Sequence, residues 1–287
     1  MRRFVLPVLL VSVVALVSCA EKTQKIPGAP GGKDMPTAKQ QAEGKLPGDE
    51  TIKNPEVAYN MALEFAGQAN MEAAHHYIIL AMKLRADSKY TYTQGLFFLS
   101  ESKFQDAIAN FQLALQQGPG TVDNRVAVLN ASGVCYKELG QDEEALKNFR
   151  EVVNTPGLFS RYESYYNMGV IYMRQKKNLD AESVFMKVVE ENPGYYRAYN
   201  KLGLLDAAKD DWKGALANYK RAVELMAADY TASQADGSEI YCNYGEALFH
   251  EKLYPQSRNA LLQVLRIAPE SAYGQRAKEL LTQLGGT

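Results

Sequence analysis

The chain has 287 residues, and Lys plus Arg (32) nearly cancels Asp plus Glu (33), so no basic field exists to concentrate nucleic acid. Apolar residues make up 46% and charged ones 23%, the proportions of a globular protein, which excludes disorder throughout. Three cysteines are too few for a disulfide scaffold and lack the C-x-x-C spacing of a structural zinc site.

The predicted elements begin with an address. Arg2 and Arg3 precede an apolar stretch from Phe4 to Val17. That is shorter than the roughly 20 residues of a membrane-spanning helix and matches the apolar region of a secretory signal peptide, residues 1–18. The stretch runs into Leu16-Val17-Ser18-Cys19, which resembles the lipobox of bacterial lipoproteins. The resemblance implies cleavage before Cys19 and acylation of that residue. Ala20 after it implies sorting to the outer membrane, with the protein on the periplasmic face. Several acyl chains on one residue anchor stably where a single chain is marginal.

Residues 19–50 then hold Pro27, Pro30, Pro36 and Pro47 and only Ile26, Met35 and Leu46 as large apolar residues. Nothing here can bury enough surface to offset ordering entropy. The segment reads as a disordered tether with a reach of about 30 Å. The rest of the chain is mildly acidic, so the lipid is the one membrane contact expected.

From residue 55 a single unit recurs: a small residue, a second small residue twelve positions on, and a bulky one four further. Gly95, Ala107 and Phe111 give the clearest copy. Gly133, Ala145 and Phe149 repeat it, as do Gly169, Ala181 and Phe185, then Gly203, Ala215 and Tyr219. Weaker copies open the array (Ala62, Ala74, Ile78) and close it (Gly245, Ser257, Leu261). The first small residues are spaced by 33, 38, 36, 34 and 42 positions. This resembles the tetratricopeptide repeat, a helix–turn–helix unit of about 34 residues. The longer gaps imply insertions near Gly118–Arg125, Gly157–Arg161 and Ala228–Gly237. Pro119, Pro193 and Pro269 end second helices, which proline cannot continue. Tyr165, Tyr199 and Tyr241 stand where the family favours tryptophan, so much of the tyrosine excess, 18 against one tryptophan, is structural. Trp212 is expected at a turn between helices. Residues 272–284, apolar at Tyr273, Ala277, Leu280, Leu281 and Leu284, have the spacing of a final capping helix. The expected fold over residues 51–287 is all-α, a right-handed tetratricopeptide superhelix of about six repeats plus that cap.

No phosphate-binding loop, nucleophile elbow or zinc-binding H-E-x-x-H occurs. Gly31-Gly32-Lys33 lacks the spacing of a phosphate loop. His75 and His76 are adjacent on one helix and point to different sides, and His250 is solitary. Cys135 and Cys242 fall three repeats apart, too far to pair; Cys135 reads as a packed residue and Cys242 as one facing the groove. No cofactor, metal or enzymatic activity is expected.

In the tetratricopeptide family, first helices line a concave surface, and the resemblance places a row of residues on it. The fifth position of successive repeats reads Tyr59, Tyr92, Asn130, Tyr166, Asn200 and Cys242; the ninth reads Leu63, Leu96, Val134, Val170, Leu204 and Glu246. The twelfth adds Leu99, Met173 and Phe249. Apolar area with amide and hydroxyl groups beside it suits a peptide. The fifth position carries no lysine and no regular basic ladder occurs, so no clamp for a partner's terminal carboxylate is expected, and the expected ligand is an apolar or amphipathic segment of a protein partner.

A lipobox, a tether and six such repeats resemble the type IV pilus pilotins, the PilF, PilW and Tgl lipoproteins. Leu129-Asn130-x-x-Gly133, Glu144-Ala145, Thr155-Pro156 with a short run to Arg161, Asn167-Met168-Gly169 and Ala181-Glu182 are similar to the middle of that family. The long tether and the insertion at residues 228–237 depart from it. The resemblance implies a scaffold that helps the pilus secretin assemble in the outer membrane, with a secretin subunit as partner. The alternative is an envelope adaptor lipoprotein that docks cell-wall hydrolases or outer-membrane assembly components, with another envelope protein as partner.

Overall fold

The computed structural model describes residues 52–158, 160–229 and 232–285. The expected signal peptide, lipidated Cys19 and tether lie outside the described residues. Thirteen helices and no strand occur among them. They divide into two compact units, with the boundary in the sequence after Val152.

The first unit holds three helical hairpins: α1 (Pro55–Gly67) with α2 (Met71–Leu84), α3 (Ser88–Ser100) with α4 (Phe104–Gln117), and α5 (Val122–Glu138) with α6 (Asp142–Val153). The second holds α7 (Tyr162–Arg174) with α8 (Asn178–Glu191), α9 (Tyr196–Ala207) with α10 (Trp212–Ala227), α11 (Gln234–His250) with α12 (Tyr254–Ile267), and the final α13 (Ala272–Gln283). Six hairpins and a terminal helix are the elements the repeat pattern predicts. Helices α4, α8 and α12 stop two residues before Pro119, Pro193 and Pro269. The insertions before α5 and α11 add length to those helices, which run 17 residues where α3 and α7 run 13.

Local chemistry sets the boundaries. Asn54, Asn70, Asp87, Thr121, Asp211, Ser233 and Ser271 each accept a hydrogen bond from an orphan N–H of the helix that follows. Within every hairpin the first helix stops in the same way. One residue takes a left-handed conformation: Ala69, Ser102, Gly140, Lys176, Asp210 and Lys252, with φ between 58° and 74°. The next N–H bonds back across the turn, as Lys177 N to Tyr172 O at 2.9 Å and Leu253 N to Leu248 O at 2.8 Å. This is the Schellman closure, and it satisfies carbonyls that the helix end leaves unpaired.

The small residues do what their spacing implies. Gly95, Gly133, Gly169 and Gly203 each lie beneath the ring of Phe111, Phe149, Phe185 or Tyr219 from the second helix of the same hairpin. Ala107, Ala145, Ala181 and Ala215 are fully buried beside them. The ring of Phe111 shares a core with Val128, Ala131 and Cys135 of the next first helix, and that of Phe185 with Ala198, Leu202 and Leu205. The rings of Phe111 and Phe185 therefore close their own hairpins and join each to its successor. In the last hairpin Ser257 replaces the alanine, and its buried hydroxyl donates to Gly245 O at 2.7 Å. Helix α13 packs Ala277, Leu280 and Leu281 inward and turns Gln275, Arg276, Lys278 and Glu279 to solvent, the polar outer face a repeat array requires at its end.

Candidate functional site

The predicted row falls on first helices in both units. In the first unit, Tyr59 and Leu63 stand on α1, Tyr92 and Leu96 on α3, and Asn130 and Val134 on α5. All but Leu96 are partly exposed. Leu96 is 4% exposed and lies within the core shared by α3, α4 and α5. Leu99, added from the twelfth position, is also buried there. The Tyr59 and Tyr90 rings meet at 5.2 Å between centroids, and Lys89 Nζ sits 5.0 Å from the first and 5.2 Å from the second, within cation–π range. Lys89 also donates to Glu56 Oε2 at 2.7 Å, and the Tyr90 hydroxyl to Glu56 Oε1 at 2.7 Å. Burial opposes ionisation of Glu56, but bonds from Lys89, Tyr90 and Arg85 outweigh it and hold the carboxyl below its ordinary range. Tyr92 rests against Phe111 at 5.7 Å, and burial pushes its hydroxyl up to about 12, so it is a neutral donor at any physiological pH.

In the second unit, Tyr166, Val170 and Met173 stand on α7 and Asn200 and Leu204 on α9. Tyr166 joins Phe185 at 5.7 Å and Tyr195 at 5.2 Å, and Tyr195 joins Tyr162 at 5.2 Å. Val170 and Met173 pack at the edge of the same cluster. Leu204 is partly exposed over Ala215, Tyr219 and Trp212. Asn200 is 3% exposed, and its amide is already engaged. Its Nδ2 donates to Glu239 Oε1 at 2.7 Å, and its Oδ1 accepts from Asn243 Nδ2 at 2.9 Å. Cys242 is buried rather than facing a groove, with Sγ 3.7 Å from Tyr273 O. Cys135 is packed as expected, and both thiols are free.

The spacing did not reveal the charged ladder that ties α9, α11 and α13 together. Arg197 grips Asp236 with two parallel bonds, Nε to Oδ1 at 3.2 Å and Nη2 to Oδ2 at 2.8 Å. Tyr196 and Ser233 hydroxyls donate to the same carboxylate at 3.1 and 2.8 Å. Burial opposes charge on Asp236, yet Arg197 and these hydroxyls keep its carboxyl below the usual value. Lys201 Nζ donates to Glu239 Oε1 at 2.7 Å, and Arg276 pairs with Glu246. The available signal was register: Asn200 and Lys201, at positions five and six of one repeat, face Glu239 at position two of the next.

Two histidines are likewise structural. His75 Nε2 lies 2.8 Å from Glu101 Oε2 and Nδ1 2.9 Å from Gln94 Nε2, so it links α2 to α3. His250 stacks flat on Trp212, centroids 3.6 Å apart and planes 3° from parallel. Trp212 opens α10 and so occupies a turn, as its sequence position implies. No group of three or more His, Cys, Asp or Glu residues suited to a metal ion occurs among the described residues, and none of their helices is long and apolar enough to cross a membrane. What both units offer is a partly apolar first-helix surface with tyrosine hydroxyls beside it. That composition can bind a peptide without chemistry of its own.

Residues 162–195 and 131–156 match tetratricopeptide repeat models, in accord with the all-α repeat fold. The structure is similar to that of PilF from Pseudomonas aeruginosa, with a TM-score of 0.66 and 16% identity over 80% of this chain and 97% of that one. It is also similar to PilW, a type IV pilus biogenesis factor, with a TM-score of 0.63 and 15% identity over 79% of this chain and 98% of that one. In sequence, 175 residues, 57% of the chain, are 25% identical to Superkiller protein 3 of Schizosaccharomyces pombe. They span 12% of that protein's length.

Proposed function

We propose that the protein is a lipid-anchored tetratricopeptide scaffold that acts as a pilotin in type IV pilus biogenesis, binding an apolar or amphipathic segment of the secretin. The observation that carries the reading is the match in fold to PilF and PilW over nearly their whole lengths, joined to a sequence that opens with a lipobox and a tether. Cys19 holds the domain at the periplasmic face of the outer membrane, and the tether lets it work away from the lipid. The first-helix row then captures a segment of each secretin subunit. Tethering raises the local concentration of bound subunits, so a ring forms without any catalysed step. No cofactor or metal enters this role.

The row's open members carry the binding: Tyr59, Leu63, Tyr92, Asn130 and Val134 in the first unit, and Tyr166, Val170, Met173 and Leu204 in the second. Leu96 and Asn200, being buried, support the surface from below. The test is capture of the purified cognate secretin by the immobilised protein, compared with Tyr166→Arg and Leu204→Arg variants that retain wild-type helicity. Loss of capture in both is the expected result. Undiminished capture in both sinks the assignment of the row.

A further inference from the structure

The mild net acidity of the chain conceals how charge is distributed on the second helices of the second unit. Helices α8, α10 and α12 each pack between the first helix of their own hairpin and the helix that follows, which leaves one face of each turned outward. Two outward positions recur at the intervals of 34 and 42 that separate Gly169, Gly203 and Gly245. The first holds Leu179, Lys213 and Pro255, and the second, two helical turns on, holds Met186, Lys220 and Leu262. All six residues are exposed. Leu179 is 79% exposed and Met186 59%, on the stripe that an amphipathic helix ordinarily keeps polar. In the first unit the same positions read Glu72, Gln105 and Glu143, then Ile79, Gln112 and Arg150, so Ile79 alone is a large apolar residue there.

Charge is segregated on the same helices. Helices α10 and α12 hold Lys213, Lys220, Arg221, Arg258 and Arg266 against a single acid, Glu224, which pairs with Arg221 at 3.5 Å. Lys213, Lys220 and Arg266 meet no carboxylate among the described residues. On α8, Glu182 and Glu191 are paired with Lys209 and Arg161, which leaves Asp180 and Glu190 beside Lys187. Exposed aliphatic side chains among unpaired basic ones are complementary to anionic phospholipid, which offers acyl chains to the first and phosphates to the second. Extent decides between a lipid surface and an acidic peptide. Helices pack about 8–10 Å apart, and a first helix separates each of these three from the next, so the face spreads over about 20 Å. A peptide helix about 10–12 Å wide covers only part of that, whereas a bilayer surface meets all of it.

We propose that the outward face of α8, α10 and α12 rests on an anionic phospholipid surface, with Leu179, Met186 and Leu262 among the acyl chains and Lys213, Lys220 and Arg266 on lipid phosphates. The inference rests on the lipid-anchored reading in one respect: the acylated Cys19 keeps this face within the tether's reach of a bilayer and so raises its effective concentration there. Each basic residue at an anionic surface adds only about fivefold to binding, so the contact is reversible and the domain still leaves the lipid. No row residue lies on these three helices, and the row stays open to a partner while the second unit is at the surface.

The test is cosedimentation of the processed chain, residues 19–287 with Cys19→Ser so that no acyl group contributes. The vesicles are phosphatidylcholine alone and equal parts phosphatidylcholine and phosphatidylglycerol. Binding to the anionic vesicles is expected to exceed that to the neutral ones by about tenfold or more and to fall as salt is added. Lys213→Gln with Lys220→Gln is expected to weaken it by about tenfold or more, and Leu179→Ser with Met186→Ser by a similar factor. Helicity should be unchanged in both, because all four side chains are exposed. Equal binding to the two vesicles, binding to neither, or full binding by either double variant overturns the proposal. Loss of secretin capture in the lysine variant would assign the face to an acidic protein segment and overturn it likewise. Tyr166→Arg is expected to bind vesicles as the wild type does, so the row and this face can fail independently.

Discussion

Gly169 lies directly beneath the ring of Phe185: a Cβ at position 169 would stand 2.6 Å from two of the ring carbons. The hairpin α7–α8 thus closes at a distance that only glycine permits. Gly169→Ala must displace a fully buried ring that also packs against α9. It is expected to cost about 1–3 kcal/mol, the usual penalty for overpacking, while Phe185→Ala costs about 3–5 kcal/mol through the cavity it leaves. Chemical denaturation of each variant checks both values.

The left-handed residue in each hairpin turn gives a prediction of opposite sign. Lys176 and Lys252 hold φ near 60°, where a side chain is strained by about 1–2 kcal/mol. Glycine relieves that strain but adds freedom to the unfolded chain. Lys252→Gly should therefore stabilise the protein by about 0.5–1 kcal/mol, and Gly140→Ala, at φ 74°, should destabilise it by a similar amount. A thermal melt of the two variants in parallel separates this from a general loosening of the loops.

Asp236 links stability to acid. Its carboxyl lies below the ordinary value of 3.8 when folded, because Arg197 and its hydroxyl partners outweigh burial. The stabilisation is therefore fully present above the ordinary carboxylate range and is lost as pH falls through the lowered folded value. At neutral pH Asp236→Asn is expected to cost about 1–3 kcal/mol, the worth of bonds to a charged group. The gap between wild type and variant should shrink below about pH 4. Urea denaturation at neutral and acid pH measures it; a gap unchanged with pH contradicts the role assigned to Arg197.

The single tryptophan reports on the second unit. His250 covers one face of Trp212 at 3.6 Å, so His250→Ala opens that face to water. A red shift of the emission maximum is expected, with helicity unchanged. An unshifted spectrum means the stack does not persist in solution.

The fold was legible because the unit is written repeatedly. Gly95, Gly133, Gly169 and Gly203 recur with Phe111, Phe149, Phe185 and Tyr219 at a fixed interval, and that interval is the contact itself. Boundaries were legible where chemistry marks them, as at Pro119 and Pro193. Burial along the candidate row was less so. Leu96 and Asn200 occupy the same repeat positions as exposed neighbours, yet they lie under the surface. The packing of α3 against α4 and α5 and the polar network of Asn200, Glu239 and Asn243 decide this, and neither follows from a helical period. Arg197 with Asp236 escaped for a related reason. Their separation of 39 residues includes the insertion before α11, so no simple register joins them.

The measurement that tests the pilotin reading most directly is secretin assembly in the organism of origin. With the gene deleted, the envelope is run on detergent gels that distinguish secretin monomers from heat-sensitive multimers. The expected result is loss of multimers with monomers still present, restored by the wild-type gene and not by Cys19→Ser or Tyr166→Arg. Multimers at wild-type abundance in the deletion strain would contradict the function proposed for this protein.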